Sequence, residues 1–224
     1  WKTAPDHRLS AARLSQTQTC TPKHNLRVER RVCDLHYVLA NDPDLLETAD
    51  LIVATTGSWA AENSLNRWHL AQGRGQPILY GWTEAHACAG HGVAITGEGG
   101  CLQCHIGRTG APAFKVVDWP DGGDANQEEP ACGAHYQPYG PVELNYVTAM
   151  LSELALDCLL TPPLQSLSRV LVTSAKRIVD LGGRLSEAWL SEYVEHHSGV
   201  RTVDRPWSKL HCTACGEARA DEAA

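Results

Sequence analysis

The sequence predicts an α/β domain built on a mostly parallel sheet with an added antiparallel part. A continuous apolar run, Asp50-Leu-Ile-Val-Ala-Thr-Thr56, is typical of a parallel strand that is buried on both faces. A helical pattern over residues 59–72 and a second apolar segment, Pro77-Ile-Leu-Tyr80, follow it directly. Because parallel neighbours need such a crossover between them, the two strands are expected to pair in parallel.

Composition excludes several protein classes. The 224 residues are 43% hydrophobic and 20% charged, which is ordinary for a globular protein. Nineteen Lys and Arg against 26 Asp and Glu give a net charge of −7, without the basic block that nucleic-acid binding needs. No apolar run approaches the ~18 residues of a membrane helix, and no signal peptide is evident. We therefore expect a cytoplasmic protein that binds neither nucleic acid nor a membrane.

The segment before the apolar strand predicts shorter elements. Residues 7–19 carry a loose helical stripe, and residues 26–32 alternate like an edge strand. A helical turn is expected after Asp42-Pro43. Because the chain begins with Trp1 and runs at once into a helical pattern, we expect a fragment whose amino-terminal part is missing.

Beyond residue 80 the pattern changes. Residues 91–96 alternate and predict the added, antiparallel strand, whereas residues 107–134 have no period and predict a long functional or disordered loop. A long, mostly apolar and well-buried helix is expected over 141–160. The remaining predicted elements are strands at 169–173 and 177–181, a helix at 185–194 and a strand at 200–203.

Four of the nine cysteines form two CxxC pairs, Cys101 with Cys104 and Cys212 with Cys215. Tetrahedral zinc takes four soft ligands, and one CxxC turn supplies two of them. The pairs therefore predict a structural zinc site that ties the carboxyl end to the rest of the domain. His105 and His211 adjoin the pairs and could replace a cysteine, and two unrelated free pairs remain the alternative.

The corner Thr55-Thr56-Gly57-Ser58 follows the first parallel strand and precedes a helix. Ligands of α/β sheets bind at such carboxyl edges, and a helix amino terminus favours phosphate. No GxGxxG or GxxxxGK[ST] motif follows any predicted strand, so the chain as given lacks its own phosphate cradle.

Cys132 lies at the end of the polar loop, shortly before the helix predicted to begin at 141. A helix amino terminus lowers a thiol pKa, so Cys132 is a candidate nucleophile with His135 as a candidate base; an incidental loop cysteine is the alternative. Cys88 is a second candidate, although its small neighbours also fit a packed strand. The other three cysteines are expected to be buried apolar residues: Cys20, Cys33 and Cys158.

Four segments, in this order, resemble the carboxyl-terminal two thirds of the ThiF/MoeB/HesA superfamily, the adenylating enzymes that activate ubiquitin and ubiquitin-like proteins. The segments are ADLIVATTGSWAAENSLNRWHLAQGRGQPILYGW, GGCLQCHIG, ACGAHYQPYGPVELNYVTAMLSELALDCLL and HCTAC. The resemblance includes Leu65-Asn66 near the helix end and the strand from Pro77 to Gly81. It implies a Rossmann-like, ThiF-type adenylation fold over residues 1–216 with a four-cysteine zinc ribbon, lacking the amino-terminal nucleotide loop and followed by a disordered tail at 217–224.

The resemblance also implies a function. ATP and magnesium, bound in part by Thr56, Gly57 and Ser58, would adenylate the carboxyl terminus of a ubiquitin-like or other protein, and Cys132 would then take the acyl group as a thioester. Expected partners are that protein, a conjugating enzyme and a second copy of the chain. Bacterial members associated with a conjugating-enzyme domain are the nearest branch.

The chain departs from the family at Gly57, where the family has the Asp of a Thr-Asp-Asn turn that assists ATP and magnesium. Two alternatives therefore stay open. A catalytically degenerate scaffold for dimerisation or docking would keep the four paired cysteines and would not need Cys132. A dinucleotide-dependent oxidoreductase would need an upstream GxGxxG and would not explain the CxxC pairs.

Overall fold

The computed structural model of this chain describes most of the sequence between Glu29 and Cys215. The described residues are 29, 31–97, 99–107, 110–122, 127–128, 135–136, 138–163, 165–193, 198–205 and 212–215, with backbone alone at 127–128 and 135–136. The chain divides into two compact units, Trp1–Pro43 and Asp44–Ala224. The helix predicted at 7–19 and the tail at 217–224 lie outside the described residues.

The described part of the first unit contains one helix, α1 (Leu35–Asn41). Asp34 begins it, because its side chain accepts a hydrogen bond from the His36 N–H at 2.7 Å. The sequence pattern did not predict this helix. Of the strand predicted at 26–32, the described residues 29, 31 and 32 are not in a strand.

The second unit contains both helices and strands. Its helices are α2 (Asp44–Glu47), α3 (Trp59–Ala71), α4 (Leu102–His105), α5 (Pro141–Leu160), α6 (Ala175–Asp180) and α7 (Glu187–Glu192). Its strands are β1 (Ile52–Ala54), β2 (Ile78–Thr83), β3 (Ala89–Ile95), β4 (Val117–Asp118), β5 (Gln127–Glu128), β6 (His135–Tyr136), β7 (Leu167–Val172), β8 (Arg184–Leu185) and β9 (Arg201–Arg205). Two of the short strands, β4 and β5, lie in the loop predicted over 107–134.

The central sheet has the strand order β1-β2-β3-β7-β9 and is mixed. Strands β1 and β2 are parallel, with Ile52 opposite Ile78, and α3 connects them. This confirms the predicted strand-helix-strand unit. The antiparallel strand predicted at 91–96 is confirmed as β3. Three of the four strand pairs of this sheet are antiparallel, so the parallel part, predicted to be the larger, is limited to β1 and β2.

Strand β1 is less buried than its apolar run predicts. Ile52 and Ala54 are buried, whereas the Val53 side chain between them is 54% exposed. The prediction of burial on both faces is wrong for Val53, because β1 is the end strand of the described sheet and α5 does not cover it completely.

Helix α5 packs across β2, β3 and β7, and strand glycines permit its close approach. A Cβ atom built on Gly90 would lie 2.5 Å from both methyl groups of Val147, and the helix also contacts Gly81 and Gly92. The predicted burial of α5 holds for one side only, because only one stripe of a helix can face a sheet. The apolar side chains on its other side are exposed: Val142, Tyr146, Leu156, Leu159 and Leu160. Among the described helices, none is both long enough and apolar enough to cross a membrane.

The segment after β7 is a helix, α6, and the strand predicted at 177–181 is wrong. Ser174 caps α6 by accepting a hydrogen bond from the Arg177 N–H at 3.2 Å. The β-branched pair Ile178-Val179 suggested a strand, but Ile178 is buried and Val179 is exposed, so the helix puts one residue of the pair in the core. The helix predicted at 185–194 is present as the shorter α7.

His69 on α3 makes the stability of the fold depend on pH. Its ring is 1% exposed, and its Nε2 donates a hydrogen bond to the carbonyl oxygen of Gln76 at 2.6 Å. Burial lowers the pKa of His69. The unfolded chain therefore binds more protons below about pH 6.5, so the free energy of unfolding should fall as pH falls, by at most about 1.4 kcal/mol per pH unit.

Denaturant unfolding of wild type and His69→Asn across that pH range, with zinc in excess, measures this contribution. We expect the slope of the variant to be shallower than that of wild type below about pH 6.5. Parallel slopes would show that His69 binds a proton equally well in both states.

Candidate metal centre

The two CxxC pairs meet in the second unit. The sulfur of Cys101 lies 3.7 Å from that of Cys212, and the sulfur of Cys104 lies 3.6 Å from that of Cys215. All four sulfurs lie within 4.8 Å of one another. Cys215 is half-buried, and the other three cysteines are buried. The convergence predicted from the sequence is confirmed.

Hydrogen bonds hold the turn that contains the first pair, Cys101 and Cys104. Cys101 precedes the short helix α4, and its N–H donates a hydrogen bond to the sulfur of Cys104 at 3.4 Å. The N–H of Leu102, between the two cysteines, donates to Oδ1 of Asn66 at 2.9 Å. Gln103 donates to Oδ1 of Asn63, also at 2.9 Å. Two asparagines of α3 therefore hold the turn that presents both sulfurs.

The donor set fits a tetrahedral metal. Four sulfurs bound at about 2.3 Å to zinc lie roughly 3.8 Å apart, close to the two measured separations. A disulfide would bring two sulfurs to about 2.05 Å, and none of the four described thiols is in one. Four soft ligands are typical of a structural zinc ion and leave no coordination position for a substrate.

The acidity of these thiols also favours a bound cation. The hydrogen bond from the Cys101 thiol lowers the pKa of Cys104 to about 5 and raises that of Cys101. Burial raises the pKa of Cys215 to about 12. Close thiolates repel one another, so without a cation Cys101 and Cys215 stay protonated near neutral pH. A divalent metal supplies the charge that stabilises all four thiolates.

The histidines beside the two pairs were alternative ligands. His105 is not a member of the four-residue cluster that the described residues form. His211 lies outside the described residues.

The β1–α3 corner has a carboxylate that the sequence analysis missed. Both the N–H and the hydroxyl of Thr56 donate to Oε1 of Glu62, each at 2.9 Å. The hydroxyl oxygen of Thr56 accepts from the Ser58 N–H at 3.1 Å, and Ser58 in turn caps α3. Gly57 has a φ of 64°, which favours glycine. An acidic residue in the first turn of the predicted α3 was the available signal.

A groove of about 640 Å³ opens beside this corner, between β1, β2 and α5. Its walls are mainly apolar, and Trp82 lies in one of them. Four hydroxyl groups also line it, on Thr55, Thr83, Thr148 and Ser152. Of the described residues that line the groove, none is charged, so these walls cannot neutralise a phosphate.

A buried pair of hydrogen-bonding side chains, His91 and Glu84, lies next to Trp82. His91 stacks on Trp82 with ring centroids 5.0 Å apart, and its Nε2 lies 2.8 Å from Oε1 of Glu84. Both oxygens of Glu84 also accept backbone hydrogen bonds, from Val116 at 2.7 Å and Val117 at 2.9 Å. Glu84 therefore fixes the backbone at Val116 and Val117. The sequence offered no periodic signal for this pairing.

The remaining cysteines differ in their burial. Cys88 is fully buried and burial raises its pKa, which excludes it as an exposed nucleophile in this conformation. Cys158 is buried as predicted, whereas Cys33 is exposed and the prediction of burial is wrong for it. Cys132, Cys20 and the side chain of His135 lie outside the described residues.

No protein-family model matches this sequence, and no curated protein matches it significantly.

Proposed function

We propose that this chain belongs to an activating enzyme of the ThiF/MoeB/HesA type, with a structural zinc ion at the four cysteines. The observation that carries the proposal is the meeting of two CxxC pairs that are 111 residues apart in sequence. Such a site ties a carboxyl-terminal segment to the domain. The parallel unit of β1, α3 and β2, with a polar corner at its carboxyl edge, gives further support.

In the proposed reaction, the carboxyl terminus of a ubiquitin-like protein would attack the α-phosphate of magnesium-bound ATP, which would form an acyl-adenylate and release pyrophosphate. Thr56, Gly57 and Ser58 would contact the nucleotide at the amino terminus of α3. The described residues that line the neighbouring groove carry no charged side chain, so they cannot bind the phosphates of ATP by themselves. They form one wall of such a site. The proposal therefore requires a phosphate cradle from polypeptide that the structure does not describe.

Cys132 would act next as the nucleophile. Its thiolate would attack the acyl carbon of the adenylate, form a thioester and release AMP. Glu84, which anchors the backbone of Val116 and Val117, would hold one end of the loop that carries Cys132. We also propose a cytoplasmic location, since free thiols such as the exposed Cys33 are typical of a reducing compartment.

Cys132→Ala tests the enzymatic proposal in the full-length protein with ATP, magnesium and its ubiquitin-like partner. The variant should lose the adduct that reducing agent cleaves, because no thiol remains to accept the acyl group. ATP–pyrophosphate exchange should persist, since adenylation precedes the thiol step. Gel mobility with and without reductant measures the adduct, and isotope exchange measures the ATP–pyrophosphate reaction.

Cys33→Ala is the matched control, because it removes an exposed thiol that the proposal does not use. An adduct that survives in Cys132→Ala would exclude Cys132 as the nucleophile.

The second candidate is a degenerate scaffold for dimerisation or docking. The uncharged groove and the exposed apolar side of α5 favour it. A scaffold would show neither pyrophosphate exchange nor adduct in the full-length wild type, and it would still bind zinc.

A further inference from the structure

Helix α3 determines the conformation of the β1–α3 corner through its first turn. Glu62 is 5% exposed, and its carboxylate accepts both hydrogen bonds from Thr56. A buried carboxylate needs such partners, because it has lost its hydration. The position of Thr56 is therefore linked to the position of Glu62.

One helical turn later, α3 contacts the first cysteine pair. Asn66 is 1% exposed, and its Oδ1 accepts the hydrogen bond from Leu102, which is fully buried. Residues 62 and 66 are four positions apart and therefore lie on one side of the helix. Leu70, a further turn along, packs against the cysteine cluster. One side of α3 thus contacts the corner at one end and the metal centre at the other.

We infer that metal binding at the four cysteines and the conformation of the β1–α3 corner are coupled through Glu62 and Asn66. With a cation bound, the turn at 101–104 is fixed and Asn66 keeps its hydrogen bond. Without the cation, no metal–sulfur bonds hold the two cysteine pairs together, and the turn is free to move.

Loss of that turn would affect α3 because the bond from Leu102 is the one hydrogen bond that the Asn66 side chain makes with the described residues. Its Nδ2 has no hydrogen-bond partner within the part of the chain that the structure describes. Movement of Leu102 would leave the whole buried amide unpaired, which is costly. A shift of α3 that restores a partner to Asn66 also moves Glu62, and with it Thr56.

The coupling is reciprocal, so a change at the corner must alter metal binding. This inference rests on the metal centre alone and does not depend on nucleotide binding or on Cys132. It can therefore hold when the enzymatic proposal fails.

Thr56→Val tests the coupling from the corner side. The substitution removes the hydroxyl bond to Glu62 and the bond that the hydroxyl accepts from Ser58, and it keeps the backbone bond to Glu62 and the shape of an exposed side chain. Transfer of zinc from the loaded protein to a chromophoric chelator should be at least about fivefold faster than in wild type. Thr55→Val is the matched control, because the adjacent hydroxyl makes no hydrogen bond to Glu62 among the described residues, and its release rate should equal that of wild type.

Asn66→Ala provides a second readout at full zinc occupancy. Amide hydrogen exchange at residues 56–62 should become faster, whereas a role confined to the cysteine turn would change exchange at 101–104 alone. If Asn66→Ala does not fold, the Thr56→Val measurement decides.

Zinc content of the wild type is measured first. A chain that takes up no zinc overturns the metal centre and this inference with it. A zinc-loaded chain in which Thr56→Val releases metal at the wild-type rate overturns the coupling alone.

Discussion

Removal of zinc from the four-cysteine site is expected to lower the thermal midpoint of the protein by roughly 8–16 °C. This range follows from the ~4 kcal/mol that a ligand at a thousand times its dissociation constant contributes, and from about 2–4 °C per kcal/mol for a protein of this size. The physical reason is that the metal binds the folded arrangement of four sulfurs and not the separated pairs of the unfolded chain. Cys104→Ser should have a similar effect, because it removes one ligand from the set.

Metal analysis and differential scanning calorimetry, before and after chelation, measure this effect. One zinc per chain is the expected stoichiometry. Cys33→Ser is the control, since Cys33 is exposed and belongs to no cluster in the described structure. The prediction would be contradicted if the protein contained no metal and if its thermal midpoint did not change with chelator. An intact mass four hydrogens below that of the reduced chain would then show that the cysteines form two disulfides.

Gly90→Ala is expected to destabilise the protein by about 1–3 kcal/mol, the usual cost of forcing extra atoms into a packed core. The added methyl group would meet both methyl groups of Val147 at 2.5 Å, and neither β3 nor α5 can yield without disturbing the sheet.

Chemical denaturation measures the loss, and a double-mutant cycle identifies its cause. Val147→Ala removes the two methyl groups that Gly90→Ala would meet, so the double variant should lose less than the sum of the two single variants. Gly75→Ala is the matched control, since a Cβ there meets nothing within 4 Å. Additive effects of Gly90→Ala and Val147→Ala would indicate that α5 does not limit residue 90.

The metal ligands could be predicted from the sequence because their signal is local. Each CxxC turn brings two sulfurs together whatever the rest of the chain does, so two such turns indicate a tetrahedral site before any fold is known. The parallel unit of β1, α3 and β2 was equally accessible, since an apolar run, a capped helix and a second apolar run specify it within about thirty residues.

The Gly90 contact and the buried partners of the corner could not be predicted in this way. Val147 lies far from Gly90 in sequence, and nothing in the local pattern of a strand indicates which helix will press against it. Ile178-Val179 looked like a strand because β-branched residues favour strands, but the capping of α6 by Ser174 and the burial of Ile178 alone favoured a helix.

The sequence by itself determined which residues can carry chemistry here: four paired thiols, a polar corner after a parallel strand, and a cysteine at 132 that awaits its test. Only the tertiary structure decided how they are connected. The roles of three side chains follow only from the tertiary structure, in which their carboxylate or amide oxygens accept backbone hydrogen bonds from other segments: Glu62, Asn66 and Glu84. Such bonds join residues that are distant in sequence, and they form because a buried polar group must find a partner wherever the fold supplies one.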